Sequence, residues 1–242
     1  MSLVRQFLLN EFDSRVYESA DEVVPIILKL FQPRSVVDVG CNKGIWLSVF
    51  ERLGVKEILG VDGEWIEKKD LQISESKFQK YDLTKPLVIS KVYDCAICLE
   101  VAEHLPRIAT EVLIESLVNL SQVVYFSAAI PFQGGEKHVN EQWQSYWAEK
   151  FVVHDYVVVD CVRPLIWKNK KVNWWYRQNS MVYIKRSYLK RFPKLKYFLG
   201  NNLVLDVVHP ELYLKLADYR SLPVSWMVRK LVKKGWNWLR PK

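Results

Sequence analysis

The sequence predicts an α/β fold in which helices cover both faces of a mostly parallel sheet. Two observations predict it. β-Branched runs of strand length alternate with segments of helical periodicity, and the first strand turns into its helix through a glycine-rich loop. Alternation of this kind implies right-handed crossovers and a layered sheet. The chain has 242 residues, 50% of them hydrophobic and 26% charged, which suits one globular domain with extra elements.

Seven strand candidates follow one another along the chain. They are SVVDVG, KEILGVDG, residues 78–82, YDCAICLE, QVVYFSA, YVVVDCV and SMVYIKR. Their β-branched and aromatic residues are typical of buried strands. The predicted order is therefore βαβα over residues 1–186, which form the main domain, and a basic helical extension occupies residues 187–242.

Helical periodicity predicts the segments between these strands. A helix is predicted over residues 19–31, with Ser19 or Asp21 as its cap and Pro25 in its first turn. Further helices are expected at GIWLSVFERLG, in the polar stretch 64–72 and at TEVLIESLVNL. Each of the last three joins two successive strand candidates, as a crossover does.

Charge is distributed unevenly along the chain. Residues 1–162 carry 16 basic and 24 acidic side chains, a net charge of −8, whereas residues 163–242 carry 19 and 3, a net charge of +16. Near the C-terminus, one helical face collects Val224, Met227, Val228 and Leu231, and tryptophans follow. Such a helix either docks on the domain, which is the commoner case, or lies on an anionic membrane surface.

Several classes of protein are disfavoured by what the sequence lacks. No stretch approaches ~18 uninterrupted apolar residues and the start has no signal-peptide pattern, so a cytoplasmic protein is expected. The four cysteines sit inside apolar runs, so disulfides are not expected. Cys95 and Cys98 form a C-x-x-C pair within a strand and have no second pair, so no metal site is predicted.

A cofactor turn is predicted where the first strand meets its helix, in VVDVGCNKG. Gly40 and Gly44 allow the backbone to turn sharply and to approach a ligand closely. A dinucleotide site would have the pattern G-x-G-x-x-G, with the pyrophosphate on the helix N-terminus. Instead Asp38 precedes Gly40, and an acid there suits a cationic amino group better than a pyrophosphate.

Two further acids stand at the ends of the next two strands. Asp62 follows Gly40 by about the ~20 residues at which an acid receives two ribose hydroxyls. Asp82 and Leu83 end the third strand, where a carboxylate can accept a hydrogen bond from an exocyclic amine and a backbone amide can face a ring nitrogen. This pair suits adenine. Leu99, at the end of the fourth strand, completes the candidate cofactor residues.

The motifs VVDVGCNKG, GVDG, KYDL and YDCAICLEVAEHL resemble, in order and spacing, those of class I S-adenosylmethionine-dependent methyltransferases. The resemblance covers about residues 34–130 and implies a Rossmann-like, seven-stranded sheet whose last strand is antiparallel. It implies S-adenosylmethionine as cofactor, with the methionine part at the turn, ribose on Asp62 and adenine on Asp82. Asn42 stands where the family usually has a glycine, and asparagine tolerates left-handed backbone.

Acceptor chemistry is expected from the loops after the fourth, fifth and sixth strands. His138 is the first candidate for a general base because it lies between glycines and an aromatic helix, as in a lid. His104 is the second candidate, although a histidine that begins a helix often caps or packs. Glu100, at the end of the fourth strand, is the third catalytic candidate.

Acceptor-binding candidates lie in two segments. GGEKHVNEQWQSYW, which resembles a segment of bacterial methyltransferases near glycan or small-metabolite pathways, supplies Asn140, Trp143, Tyr146 and Trp147. The helical spacing of its aromatics also fits a core stripe. NWWYRQN supplies Trp175 and Arg177, and Arg177 suits an anionic acceptor.

The leading hypothesis is methyl transfer to a hydroxyl of a small molecule, such as a sugar or a secondary metabolite. N-methylation of an amine is a variant of it. Nucleic-acid methylation is suggested by the basic tail but lacks an Asp/Asn-Pro-Pro-Tyr type motif after the fourth strand, where EVAEHLP stands. A non-catalytic module that only binds the cofactor is the third class. The oligomeric state is left open.

Overall fold

The computed structural model describes residues 3–199 and 204–218, in which the seven predicted strands form a single sheet. In chain order these strands are β1 (Ser35–Val39), β2 (Glu57–Asp62), β3 (Phe78–Lys80), β4 (Cys95–Leu99), β5 (Val123–Ser127), β6 (Tyr156–Val159) and β7 (Met181–Lys185). Across the sheet the order is β3-β2-β1-β4-β5-β7-β6. The predicted strand count and Rossmann-like class are therefore confirmed.

The last strand, β7, runs antiparallel to both of its neighbours, β5 and β6. All other paired strands run parallel, so the predicted antiparallel last strand is confirmed. The strand order reverses at β1, which lies between β2 and β4. Ligands of open parallel sheets bind beyond the carboxyl ends of the strands at such a reversal, so the loops after β1, β2 and β4 hold the expected site.

Helices cover both faces of the sheet, as predicted. They are α1 (Leu3–Phe31), α2 (Ile45–Arg52), α3 (Thr110–Leu120), α4 (Gln144–Val152), α5 (Arg163–Ile166), α6 (Trp174–Asn179) and α7 (Pro210–Ala217). One buried apolar cluster joins Val36 of β1 to residues of α1, α2 and α6. The other joins Val37 and Val39 to residues of α3 and α4. Because successive strand residues point to opposite faces, β1 is buried on both sides.

The first helix is longer than predicted: it begins at Leu3, not at Ser19, and it contains Pro25 in its interior. The Ser19 hydroxyl does not cap it. It donates to the Arg15 carbonyl at 2.8 Å and accepts a hydrogen bond from the Asn173 backbone N–H at 2.9 Å. A proline inside a helix removes one backbone hydrogen bond. Burial of the surrounding apolar face offsets this loss, since Val23 is fully buried.

The predicted polar helix over residues 64–72 is wrong. The structure has a single turn of 3-10 helix there, Lys68–Asp70, with no buried residue. Trp65 is exposed as well. A short helix needs an apolar face to pack, and this segment buries only Ile66, so helical propensity alone does not hold it.

The chain divides into two compact units, Met1–Val207 and Val208–Lys242. In the second unit the His209 imidazole Nδ1 accepts a hydrogen bond from the Glu211 backbone N–H at 3.2 Å and so caps α7. The predicted basic helix after residue 221 lies outside the described residues, and the predicted domain boundary after residue 186 stays a prediction. Within the described part of the chain, no helix combines the length and the apolarity needed to cross a membrane.

Aromatic packing fixes the antiparallel strand against α4. The rings of Phe151 and Tyr183 are stacked, with centroids 3.8 Å apart and planes 11° apart. Phe126 of β5 adds edge contacts to both rings. Stacked and edge-on aromatic pairs add to the free energy gained by burial. This cluster therefore anchors the loop between β5 and α4, which carries the acceptor-side residues.

Replacement of Phe151 by alanine is expected to lower the free energy of unfolding by about 3–5 kcal/mol, because it leaves a cavity under the Tyr183 ring. Urea unfolding followed by circular dichroism measures the loss. Val153→Ala is the matched control, since Val153 directly follows the same helix with its side chain exposed, and a change within ~0.5 kcal/mol is expected. Equal effects of the two substitutions would contradict the assignment of Phe151 to the core.

Candidate active site

Three residues of the β1–α2 turn adopt left-handed backbone conformations. Gly40, Asn42 and Gly44 have φ of +86°, +48° and +79°. A Cβ at Gly40 would lie 2.3 Å from Cγ2 of Val101, so no larger residue fits there without displacing the loop after β4. Asn42 takes the left-handed conformation that asparagine tolerates. The turn is therefore formed without a middle glycine.

Hydrogen bonds tie this turn to the end of β2. The backbone N–H groups of Gly40 and Cys41 both donate to the Val61 carbonyl, at 2.8 and 3.2 Å. The Asp62 carboxylate accepts from the backbone N–H of Asn42 through one oxygen and from that of Gly63 through the other, each at 2.6 Å. Each carboxylate oxygen keeps a further lone pair, so Asp62 can also accept two hydroxyl groups.

Burial is the largest influence on the pKa values of the two acids at this edge, Asp62 and Asp38. It raises the pKa of Asp62, while hydrogen bonds from the Gly63 and Asn42 backbones act in the opposite direction. Asp38 is more deeply enclosed: burial, with repulsion from the Asp62 charge, raises its pKa well above the ordinary 3.8. A cationic group nearby would favour the charged forms of both acids.

Asp82 and Leu83 follow β3 at the same edge. The Asp82 carboxylate is half-exposed and accepts from the backbone N–H and the hydroxyl of Thr84, at 3.0 and 2.6 Å. These two hydrogen bonds lower the pKa of Asp82, the hydroxyl more than the backbone. Leu83 and Leu99 are buried, with Leu99 at the end of β4.

An amide cluster surrounds Glu100, which directly follows β4 and has a left-handed φ of +55°. Its carboxylate accepts from the Asn179 side-chain amide at 3.0 Å and from the Gln133 side-chain amide at 3.1 Å. Burial nevertheless raises the pKa of Glu100. A non-glycine residue held in this backbone region is constrained by its surroundings, and such constraints concentrate at functional sites.

Glu103 is fully buried, and neither of its carboxylate oxygens makes a hydrogen bond of ordinary geometry among the described residues, although the Glu100 carboxyl and the backbone N–H groups of Glu103 and Ala129 act on it. Burial raises its pKa well above the ordinary 4.5, and the charge of Glu100 raises it further. A buried polar group without a partner costs roughly 1–3 kcal/mol, and more when it is charged. The side chain is therefore held at a free-energy cost beside Glu100.

Two imidazoles meet next to this carboxyl group. The His104 and His138 ring centroids are 4.8 Å apart, with planes at 86°. The backbone N–H groups of Val139 and Asn140 both donate to the Glu103 carbonyl, at 2.8 and 3.0 Å, which brings the two loops together. His138 Nδ1 lies 3.0 Å from a carboxylate oxygen of Glu141. Burial is the largest cause that lowers the pKa of His104, and His138 lowers it further.

These three side chains offer one possible ligand atom each. The ligand atoms of Glu103, His104 and His138 all lie within 4.8 Å of one another. Imidazole nitrogens and carboxylate oxygens are ligands that divalent transition metals accept. From the sequence, His138 and His104 were candidates for the general base, with capping or packing as the alternative for His104, and neither was predicted to bind a metal. The thiols of the C-x-x-C pair are buried in the structure.

The predicted aromatic wall after β5 divides in the structure. Trp147 is 2% exposed, and its ring packs on Phe126 at 5.2 Å, so it belongs to the core stripe. Tyr146 lies between Arg107 and Lys150, with each cation over its ring. Trp143, at 39% exposure, is the ring of the three that faces outward. Of the three predicted wall residues, Trp143 is therefore the one whose ring is exposed.

The remaining acceptor candidates are buried or stacked. Asn140 is buried, and its side-chain amide donates to the Ala102 carbonyl and the Thr110 hydroxyl, so it holds the loop after β4. Trp175 stacks on Phe12 at 6.4 Å. Arg177 is also buried, and its guanidinium donates to the Trp167 carbonyl at 3.3 Å. Buried Arg177 is enclosed by protein rather than held open for an anion.

The comparisons with known proteins decide the family. A sequence model described as a methyltransferase domain matches residues 12–179, which is more than half of the chain. The chain belongs to this methyltransferase-domain family. The resemblance to class I S-adenosylmethionine-dependent methyltransferases is thereby confirmed, and the chain is an S-adenosylmethionine-dependent methyltransferase. No curated protein matches the chain.

Solved structures share the fold at low sequence identity. An O-methyltransferase family protein from Burkholderia thailandensis aligns with TM-score 0.53 and 10% identity, over 71% of this chain and 55% of that chain. Magnesium protoporphyrin IX methyltransferase from Synechocystis PCC 6803, with bound S-adenosylhomocysteine, aligns with TM-score 0.52 and 16% identity, over 76% of this chain and 86% of that chain. The plantazolicin methyltransferase, also with bound S-adenosylhomocysteine, aligns with TM-score 0.52 and 16% identity, over 75% of this chain and 88% of that chain. The likeness is one of fold.

Four residues of this methyltransferase site were not among the predicted site residues. They are Gln133 and Asn179, whose amides hold Glu100, Glu141, which holds His138, and the buried Glu103. Asn179 ends α6 and is separated from β7 by Ser180, and Gln133 and Glu141 flank the loop that carries His138. In the sequence these amides and acids lie in the same segments as the candidate bases and acceptor-binding residues. Their proximity to Glu100 and His138 becomes visible only when the loops converge in the fold.

The methyltransferase with Asp38→Asn is expected to gain stability relative to the parent as the pH rises. Because the folded-state pKa of Asp38 exceeds its ordinary 3.8, the folded parent binds more protons than the unfolded chain above that pH, and its stability falls. The asparagine variant has no such loss. Urea unfolding at ~pH 5 and ~pH 8 measures the difference, which should grow with pH. A difference that stays constant would contradict the raised pKa of Asp38.

Proposed function

We propose that this methyltransferase transfers the methyl group of S-adenosylmethionine to a hydroxyl group of a small-molecule acceptor. The observation that carries the proposal is the contact between the two halves of the site. Gly40 of the cofactor turn lies directly against Val101, the residue that follows Glu100. The donor turn and the carboxyl–imidazole cluster are therefore neighbours, as in-line transfer between two bound molecules requires.

The residues at the ends of β1, β2 and β3 fit the cofactor. Asp62 keeps the acceptor capacity that two ribose hydroxyls need, and it is already oriented by the Asn42 and Gly63 backbones. Asp38 supplies a buried carboxyl group that a cationic amino group would ionise. Gly40, Asn42 and Gly44 shape the turn for the methionine part, and Asp82, Leu83 and Leu99 are the candidates for adenine.

On the acceptor side, the chain must position a hydroxyl group and remove its proton. The cofactor supplies a methyl group already activated on a sulfonium sulfur. As the acceptor oxygen forms its bond to this carbon, the carbon–sulfur bond breaks and its electron pair stays on sulfur. The hydroxyl proton passes to a base of the chain, for which His138 is the first candidate, His104 the second and Glu100 the third.

The environment of His138 supports this order. Its Nδ1 faces the Glu141 carboxylate, so Nε2 is the nitrogen that can accept a proton. Glu141 is itself fixed by the backbone N–H groups of Phe132 and Gly134, each at 2.8 Å. A base oriented by a second fixed group is the arrangement that general-base catalysis uses. Glu100 is instead already occupied by two amides.

A hydroxyl acceptor is favoured over an amine by the state of the two carboxyl groups. Burial raises the pKa of both Glu100 and Glu103, which disfavours the paired negative charge that would attract an ammonium group. The rim of the site exposes apolar side chains, Phe132, Val139 and Trp143. These suit an acceptor with an apolar part. The net charge of −8 over residues 1–162 opposes a nucleic-acid phosphate backbone at this domain.

Labelled S-adenosylmethionine and a panel of phenols, sugars, hydroxy acids and amines test the proposal directly. Label that appears only on alcohols and phenols supports it. Label that appears on amines instead would replace the hydroxyl by a nitrogen acceptor. Cofactor binding without transfer to any member of the panel would favour the module that only binds the cofactor.

Asp62→Asn is expected to weaken S-adenosylhomocysteine binding by about 10- to 100-fold, since hydrogen bonds to a charged group contribute ~1.5–3 kcal/mol. Titration calorimetry measures the change. Asp70→Asn is the matched control, because Asp70 is an exposed acid in the same β2–β3 connection. An unchanged affinity of the Asp62 variant, or equally tight binding of NAD by the parent, would refute the cofactor assignment.

His138→Gln is expected to lower turnover by about 10²–10⁴-fold and to leave S-adenosylhomocysteine affinity unchanged, because the residue serves the acceptor side. The measurement is a steady-state assay with an acceptor from the panel, together with calorimetry. His154→Gln is the control histidine, since His154 lies in the α4–β6 connection. Full turnover of the His138 variant at saturating acceptor would show that His138 is not the base. His104→Gln would then test whether His104 is the base.

A further inference from the structure

The cluster of Glu103, His104 and His138 has the composition of a metal site. One carboxylate and two imidazoles form the donor set that zinc, iron, cobalt and manganese accept in proteins, with positions left open for another ligand. The ligand atoms lie within 4.8 Å of one another, and Zn–N bonds are about 2.0–2.1 Å long, so small side-chain rotations bring all three to one ion.

Glu103 supplies an independent reason to expect a ligand at this place. Both of its oxygens are fully buried, and neither makes a hydrogen bond of ordinary geometry in the described part of the chain; the groups that act on them are the Glu100 carboxyl and the backbone N–H groups of Glu103 and Ala129. Buried carboxyl groups in folded proteins are normally satisfied by hydrogen bonds, by a counter-charge or by a metal. His104 and His138 stand next to these oxygens, so a cation held by the imidazoles would satisfy Glu103 as well.

The surroundings of His138 are those of a metal-binding histidine. Its Nδ1 lies 3.0 Å from the Glu141 carboxylate, which leaves Nε2 for the ion. Metal-ligating histidines almost always donate their other ring N–H to a carboxylate, a carbonyl or water, which fixes the ring. Gly135 makes room for this ring, because a Cβ there would lie 2.2 Å from Nε2.

We propose that this methyltransferase binds one divalent transition-metal ion through Glu103, His104 and His138. The consequence for the acceptor rests on the proposed function. An ion at this place would coordinate the acceptor hydroxyl and favour its alkoxide, since a metal ion stabilises negative charge on a bound oxygen. Two neighbouring oxygens fill two open positions at once, so the acceptor class is a vicinal diol, a catechol or an α-hydroxy acid.

In the metal-loaded protein both imidazoles are ligands, and the ion takes over the activation that a free His138 would perform. The proton of the metal-bound hydroxyl would then leave to solvent, its oxygen would bond to the methyl carbon, and the carbon–sulfur bond would break with its electron pair left on sulfur. Glu100 is a positioning residue in this arrangement, since Asn179 and Gln133 hold its carboxylate beside Glu103.

Co²⁺ is the probe for the experiment, with the full-length chain and without S-adenosylmethionine. Titration calorimetry should show one saturable site per chain, and visible absorption should show the bands of nitrogen and oxygen ligation without thiolate charge transfer. Glu103→Gln and His138→Gln should weaken Co²⁺ binding by more than about 100-fold, since even outer-shell partners are worth about 10–100-fold. Glu141→Gln should weaken Co²⁺ binding by about 10–100-fold, as expected for an outer-shell partner, and His154→Gln should bind Co²⁺ as tightly as the parent does.

Circular dichroism of each metal-free variant checks that it folds, and Gly135→Ala serves as a second test, because it displaces the His138 ring without removing a ligand. Weaker Co²⁺ binding by Gly135→Ala supports the site. Absence of a saturable site in the folded parent overturns the proposal, and so does affinity unaffected by Glu103→Gln and His138→Gln. S-adenosylhomocysteine binding by the same preparation separates the two proposals: if it persists while Co²⁺ fails to bind, only the metal site is refuted.

Discussion

The Asp62 carboxylate is the interaction on which the cofactor edge of this methyltransferase depends. It accepts from the Asn42 backbone on one oxygen and from the Gly63 backbone on the other, so it holds the end of β2 and the turn after β1 in one arrangement. The turn cannot relax in the opposite direction, because Gly40 is pressed against Val101. The Asp62 hydrogen bonds and the Gly40–Val101 contact together connect the ends of β1, β2 and β4 before any ligand arrives, and this lowers the entropic cost of binding.

The acceptor-side corner of the site, around Glu100 and Glu103, differs from the cofactor edge. Its carboxyl groups are buried, and their hydrogen bonds do not fully offset the cost of removing them from water. Glu100 is held by two amides in a left-handed conformation, and the buried Glu103 makes no hydrogen bond of ordinary geometry in the described residues. Natural folds retain such costs chiefly at functional sites, where a ligand or a reaction uses them. The backbone bonds from Val139 and Asn140 to the Glu103 carbonyl ensure that His138 arrives at the same corner.

The sheet and the cofactor acids could be predicted from the sequence because both depend on local patterns. Strand-length β-branched runs gave all seven strands, and Asp62 lies at the end of β2, at the spacing from Gly40 that the pattern implies. The start of α1 and the segment 64–72 were predicted wrongly because tertiary packing decided them: buried Val23 supports a helix that continues through Pro25, while the segment 64–72 buries only Ile66.

The acceptor side could not be predicted to the same depth, because its chemistry depends on distances between loops far apart in the chain. Spacing identified His104 and His138 as separate candidates, but nothing in the sequence states that their rings lie 4.8 Å apart. Nor does it state that Glu141 orients one of them while Asn140 holds the loop of the other. The same folding placed Trp147 in the core and left Trp143 outward, since a helical stripe has one buried face. Motif order thus identifies the donor, whereas the converging side chains of two loops determine which acceptor chemistry the enzyme can perform.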